Sequence, residues 1–245
     1  MSDGDDRRKR RKLDIFDGDG VTPISESSSD QTKPPSSTLI DELITEYACI
    51  DAYRISRDYR TALRKQGNYA ATESLQYGEI DLLDFAKILE TLVAPNFNSI
   101  KSFLDIGMGS GKAVLAAACS GLFKKATGIE IVGQLHEEAM KVYTETKSRR
   151  TLLSDDINLL HDDCFNVSWT GYDVIFLPIT CFTSEMIQSV VQRILCMKSG
   201  TCLISTSTLT ALDDKTMCGK AIKKLHEERF RYGKGSMRFC VYQVV

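Results

Sequence analysis

The chain of 245 residues has eight cysteines but no Cys-x-x-Cys pair, only three histidines, and a single tryptophan. No apolar run approaches the roughly 20 residues that cross a bilayer. Each shortage excludes something. Without a local cysteine pair a zinc site has no support, and no metal ligands are assigned. The cysteines, at positions 49, 119, 164, 181, 196, 202, 218 and 240, mostly sit in apolar segments. They are expected to be reduced, buried thiols of a cytosolic or nuclear protein. A charged N-terminus and no long apolar run argue against a secretory signal and against a membrane partner. A net charge of -2 draws no nucleic acid to the chain as a whole. His136, His161 and His226 stand at polar or helical positions without a partner pattern and receive no catalytic role.

What is present divides the chain in three. Residues 1–38 are rich in Asp, Ser, Pro and charge and too poor in apolar groups to offset the entropy of ordering, so a disordered tail is expected. Within it lies Arg7-Arg8-Lys9-Arg10-Arg11-Lys12, which reads as a nuclear-import signal or a grip on DNA phosphates. Flanking acids leave open a merely solvated charge run. Residues 39–93 read as a helical, substrate-facing lid. Leu39, Leu43, Ile44, Tyr47 and Ile50 share one helical face that Tyr53 continues, and residues 80–93 repeat the period through Leu82, Phe85, Ile88, Leu89 and Leu92 before Pro95. From residue 94 to 245, strand-like runs fall at 101–106, 126–131, 173–178 and 201–206, with a helical pattern after each of the first three. Parallel strands with helical crossovers are the expected result. "RFRY", "GKG" and "MRFCVYQVV" then predict a closing antiparallel hairpin, for six or seven strands in all.

The most informative run is "DIGMGSGKAVLAAACSGLFKKATGIEI", Asp105 to Ile131. A P-loop needs a glycine where Ile106 stands and a hydroxyl where Ala113 stands, so both ends fail. A dinucleotide loop needs a third glycine at Lys112. The spacing present is Gly107-x-Gly109-x-Gly111, directly after a strand and its Asp105. This resembles motif I of the Rossmann-like S-adenosylmethionine methyltransferases. The resemblance implies S-adenosylmethionine as cofactor and an α/β fold, a Rossmann-like seven-stranded, mostly parallel sheet with helices on both faces. It implies that the glycines let backbone approach the cofactor, that Asp105 meets its ammonium and Lys112 its carboxylate, that Glu130 takes the ribose diol, and that Asp162 or Asp163 meets the adenine amine. Taken singly, these residues are a capping Asp, a tight-turn Gly or a surface Glu; their order on successive elements carries the reading.

A narrower resemblance lies around the loop. "LQYGEI" at 75–80, then "FLDIGMGSGKAVLAAA", "GIEI", "DDCF" and "CFTSEM" resemble the disruptor-of-telomeric-silencing (Dot-type) histone lysine methyltransferases, from about Tyr77 to Ser207. That family implies a histone acceptor within a nucleosome, a nuclear location, and Tyr77 and Glu79 lying over the cofactor. Ordinary core packing is the other reading of Tyr77. Asp163-Cys164 match the adenine pair. Phe182, Tyr77 and Thr180 are the residues implied at the methyl-transfer end, with Glu185 matching the acid that follows. Here Pro178 and Ile179 replace the family's asparagine pair. That departure leaves room for another protein or an RNA as acceptor, or for a non-catalytic S-adenosylmethionine-binding protein. The basic tail and the clusters Lys223-Lys224 and Arg229, Arg231 and Lys234 suit DNA phosphates near the acceptor, or a solvated face. Trp169 is expected to anchor a loop before the fourth strand.

Overall fold

The structure is a computed structural model and describes residues 36–69, 72–97, 100–149, 152–209, 222–233 and 235–245. The expectations for Arg7–Lys12, Cys218 and Lys234 lie outside these residues.

Helices α1 (Ser36–Tyr47), α2 (Ala52–Lys65) and α3 (Leu82–Ile88, continued by a π-helical turn Leu89–Val93) precede the sheet. Then follow β1 (Ser102–Ile106), α4 (Lys112–Cys119), β2 (Lys125–Glu130), α5 (Gly133–Arg149), β3 (Asp156–His161), β4 (Val174–Leu177), a 3-10 turn Ile179–Cys181, α6 (Ser184–Leu195), β5 (Cys202–Ser205), β6 (Ile222–Tyr232) and β7 (Gly235–Val244). The seven strands lie in the order β3-β2-β1-β4-β5-β7-β6. β1 to β5 are parallel, β7 inserts antiparallel beside β5, and β6 pairs antiparallel with β7 at the far edge. The expected seven-stranded sheet with its closing hairpin is therefore present.

Burial explains which segments were legible. β4 and β5, "VIFL" and "CLIS", are buried throughout, so they read as continuous apolar runs. β3, "DINLLH", is a half-exposed edge strand whose polar residues kept it out of the strand-like runs, although a strand before Trp169 was implied. The lead-in also differs from expectation. One helical face from Leu39 to Tyr53 becomes two helices, because Asp51 caps α2 by accepting from the Arg54 amide at 2.9 Å. Ile44 is 38% exposed, whereas Leu39, Ile40, Leu43 and Tyr47 are buried. The inward stripe is thus shifted by part of a turn.

Two apolar layers flank the sheet. α1, α3 and α4 pack on one face through Phe85, Phe103 and Val114. On the other, α6 packs through Val190 and Ile194 with Trp169. All seven residues from Ala113 to Cys119 in α4 are buried, as a helix held between other elements requires. Gly128 in β2 allows this approach, since a Cβ there would lie 2.6 Å from Val114 Cγ2. Of the described cysteines, all free, only Cys119, Cys202 and Cys240 are buried. Cys49 and Cys196 are exposed, correcting the expectation of buried thiols. No described helix is long and apolar enough to cross a membrane.

The layout positions a site. β2 and β3 continue the sheet one way from β1, and β4 and β5 the other. The crossovers diverge between β1 and β4, which opens a crevice beyond the carboxyl ends of these strands. The glycine loop follows β1 directly into that crevice.

Candidate functional site

Asp105 lies near the end of β1 and is 2% exposed. Its Oδ1 is buried and has no hydrogen-bond partner. Burial, with the Glu130 carboxylate adding to it, pushes its pKa well above the usual carboxylate range. A buried carboxyl oxygen left unsatisfied is costly, and it marks a place where a ligand donor fits.

The loop then turns through Gly107, Gly109 and Gly111, with φ of 77°, 57° and 87°. All three lie in the left-handed region that disfavours side chains. Their surroundings differ. A Cβ on Gly107 would meet nothing within 4 Å, on Gly109 it would come 2.6 Å from the Tyr77 ring, and on Gly111 it would lie 3.1 Å from Ala139. Gly107 therefore borders open space, whereas Gly109 and Gly111 are packed.

Glu130, ending β2, holds the loop. Its Oε2 accepts from the Gly109 amide and its Oε1 from the Val132 amide, each at 2.8 Å. Burial raises its pKa, and these amides pull it back. A carboxylate has about four acceptor positions, so it retains capacity toward the cleft it lines.

A strap from Leu75 to Ile80 crosses above the loop. The Tyr77 hydroxyl donates to Glu79 Oε2 at 2.7 Å and shares a 3.1 Å hydrogen bond with Ser110 Oγ. Lys112 Nζ donates to Glu79 Oε1 at 2.6 Å. Lys112 is thus already engaged by Glu79. Burial pushes the Tyr77 phenol well above its ordinary pKa, so it stays protonated.

Beneath the strap are two cavities with shared walls. The larger, of 310 Å³, is bordered by Tyr77, Gly107, Glu130, Asp163, Cys164 and Phe182, among others. A smaller one of 20 Å³ reaches Asp105, Lys112 and Glu79, and both include Gly107, Pro178 and Tyr232. Asp163 Oδ1 accepts from the Phe165 amide at 2.9 Å and shapes the turn after β3. Burial, then Asp163, pushes the Cys164 thiol up to about 12, so it is a neutral wall and no nucleophile. Trp169, 1% exposed, donates to the Cys164 carbonyl at 2.8 Å, and Arg193 donates to the carbonyls of Phe165 and Val167. This loop is rigidly backed. Asp162 is exposed, also borders the larger cavity, and accepts from Asn166 at 3.0 Å.

Nine sequence-expected residues therefore converge on the two cavities, Tyr77, Glu79, Asp105, Gly107, Lys112, Glu130, Asp163, Cys164 and Phe182, and Pro178, the departure from the family pattern, lines both. Gly109 packs under the Tyr77 ring and Gly111 against Ala139, and neither borders a cavity. Thr180 is exposed, borders neither cavity, and bonds Thr206 Oγ1 at 2.9 Å. Tyr232 was not expected. It comes from the end of β6, and its hydroxyl donates to the Gly78 carbonyl at 3.0 Å. The Gly233 amide donates to the Glu79 carbonyl at 2.7 Å, so the hairpin tip clasps the strap. The one available signal was an aromatic beside the "GKG" turn.

Residues 56–244 match the family described as histone methylation protein DOT1. The comparison with curated proteins found no match. Among solved structures, the methyltransferase candidate yhhF of Escherichia coli shares 13% identity at TM-score 0.49, covering 66% of this chain and 84% of its own. TYW2 of Pyrococcus horikoshii, solved with MeSAdo, shares 16% at TM-score 0.46, covering 66% of this chain and 61% of its own.

Proposed function

Because the chain belongs to the histone methylation protein DOT1 family, whose members are S-adenosylmethionine-dependent methyltransferases, we propose that it methylates a lysine of a nucleosomal core histone in the nucleus. The observation that carries the site assignment is the buried, unpartnered Asp105 oxygen beside a glycine that faces open space.

The residues present fit S-adenosylmethionine. Asp105 offers an uncompensated acceptor to an ammonium, and Gly107 leaves room for close backbone approach. Glu130 has acceptor capacity for a ribose diol, and the Asp163–Cys164 turn walls the place of a purine. Glu79 and Tyr77 close the cavity from above, and Lys112 holds Glu79 in place. Bound there, the cofactor supplies a methyl group on a sulfonium centre.

The chain's own residues then have two tasks. One is to admit a lysine amine in its neutral form, although in water its pKa is about 10.4. Tyr77, Phe182, Pro178 and Tyr232 form a mostly apolar wall that disfavours the charged amine by desolvation. Neither phenol takes the proton, since burial raises the pKa of both. The proton leaves to solvent before the amine enters. The second task is orientation, and a rigid wall backed by Trp169 and Arg193 performs it. Thr180 borders neither cavity and bonds Thr206, so the reading gives it the task of fastening the turn.

Radiolabel transfer onto nucleosomes, free histones and RNA tests the acceptor. Label on a nucleosomal histone is expected; label on RNA alone overturns the histone assignment. Pro178 supports a second reading. It stands where the Dot-type pattern has an amide side chain, so the site lacks that polar contact. If S-adenosylmethionine binds in calorimetry while no component of a nuclear lysate is labelled, the chain is a binding protein instead.

A further inference from the structure

Helix α2 carries a feature that the methyl-transfer site leaves unused. Its sequence, "AYRISRDYRTALRK", contains five cations and one acid. Ala52 and Ser56 are buried, and Ser56 borders the larger cavity while its hydroxyl donates to the Leu75 carbonyl at 3.1 Å. One flank of the helix therefore faces the cleft. Arg57, Arg60 and Arg64 follow at i, i+3 and i+7, which places them in a stripe along the edge of that flank.

The stripe runs beside the wall of the larger cavity. At one end, Tyr53 packs edge-on to Tyr77 with centroids 5.2 Å apart, and its hydroxyl abuts Gly233 in the hairpin tip. Midway, the Arg60 guanidinium is near enough to Cys181 to offset part of the upward push of burial on that thiol. Cys181 directly precedes Phe182, a wall of the cavity. At the other end, Arg64 Nε donates to Thr72 Oγ1 at 3.3 Å.

Charge balance identifies the occupant. Arg54 and Arg57 have only exposed ion pairs with Asp51 and Asp58, which screen little. Among the described residues Arg60 and Arg64 are in no ion pair, and the buried Arg60 Nε has no hydrogen-bond partner. A chain of net charge -2 thus places the guanidinium groups of Arg60 and Arg64, neither in an ion pair among the described residues, on the helix flank beside the larger cavity. From Arg57 to Arg64 the helix rises about 10 Å, over which one DNA strand presents about three phosphates. Guanidinium forks match phosphate oxygens in pairs. We infer that the arginine stripe of α2 seats the phosphate backbone of nucleosomal DNA beside the acceptor entrance. This rests on the nucleosomal reading of the acceptor and names a contact surface for it.

The test is salt-dependent binding of the full chain to nucleosomes, followed by fluorescence anisotropy between about 50 and about 200 mM salt. In the double variant Arg60→Gln, Arg64→Gln, the slope of log affinity against log salt is expected to flatten by about 2. Arg60→Lys with Arg64→Lys should restore most of it, because lysine keeps the charge. S-adenosylmethionine affinity and melting temperature should stay unchanged, which shows that the fold is intact. An unchanged slope overturns the inference, as does an equal loss on free histone octamers, which would make the stripe a reader of acidic protein. A larger loss on RNA than on nucleosomes also overturns it. The assay contains no methyl transfer, so a failed histone assignment and a failed stripe are told apart.

Discussion

Asp105 is a residue at which stability and function oppose each other. Its folded pKa lies well above the ordinary carboxylate value, chiefly through burial. The folded chain then binds this proton more tightly than the unfolded chain. Its contribution to cofactor-free stability is therefore greatest at low pH and declines as pH rises from the ordinary carboxylate range through the raised value. Asp105→Asn is expected to raise the melting temperature of the cofactor-free protein at neutral pH. The same change should weaken S-adenosylmethionine by about 100-fold or more, because a buried charged partner is lost. Calorimetry on wild type across pH should show affinity falling as Asp105 protonates; pH-independent binding would count against it. The glycines separate in a similar way. Gly107→Ala costs about 1–2 kcal/mol of backbone strain at its φ of 77° and directs a methyl into open cleft, so binding should fall more than stability. Gly109→Ala instead strikes the Tyr77 ring and should loosen the strap. A large Gly109 substituent thus acts through Tyr77 and the amide that Glu130 holds, rather than by filling the open cleft.

At the scale of elements, the clasp between the strap and the hairpin tip holds the strap over the cavities. Ile80 bridges to Tyr232, the Gly233 amide bonds Glu79, and a Cβ on Gly78 would strike the Tyr232 ring. Arg231 adds ion pairs of 3.2 Å to Asp81 and to Asp84, both partly exposed and hence modest. Tyr232→Phe removes only the hydrogen bond to Gly78 and should cost about 0.5–1.5 kcal/mol. Faster cofactor release in stopped-flow fluorescence is expected, with KM for the cofactor rising several-fold while kcat changes little. A fall in kcat at constant KM would place Tyr232 in the chemistry instead. The loop after β3 is the complementary element. Trp169→Ala empties a fully buried site and removes the bond to Cys164, so a loss of about 3–5 kcal/mol is expected in urea unfolding.

For the whole molecule, the two cavities make folding and binding linked equilibria. S-adenosylmethionine at 100 times its dissociation constant should stabilise the chain by about 2.7 kcal/mol. For a domain of this size that is a rise of roughly 5–10 °C in Tm. Differential scanning fluorimetry should show the shift with S-adenosylmethionine, and none with a nicotinamide dinucleotide or a nucleoside triphosphate. A shift with the triphosphate alone would contradict the reading of the glycine loop.

The amino-acid sequence by itself determined the alternation of strands and helices, the glycine loop after β1 and the acid ending β2. Each of these is local, set by apolar period or by backbone freedom within a few residues. Only the tertiary structure decided that Lys112 is held by Glu79, that Gly107 and not Gly109 faces the cleft, and that Thr180 lies outside it. It alone brought Tyr232 onto Gly78, 154 positions away in the chain. No periodicity encodes that meeting. It arises because β7 inserts beside β5 and carries β6 and its turn back over the strap, a non-local pairing whose outcome depends on the packing of the entire sheet.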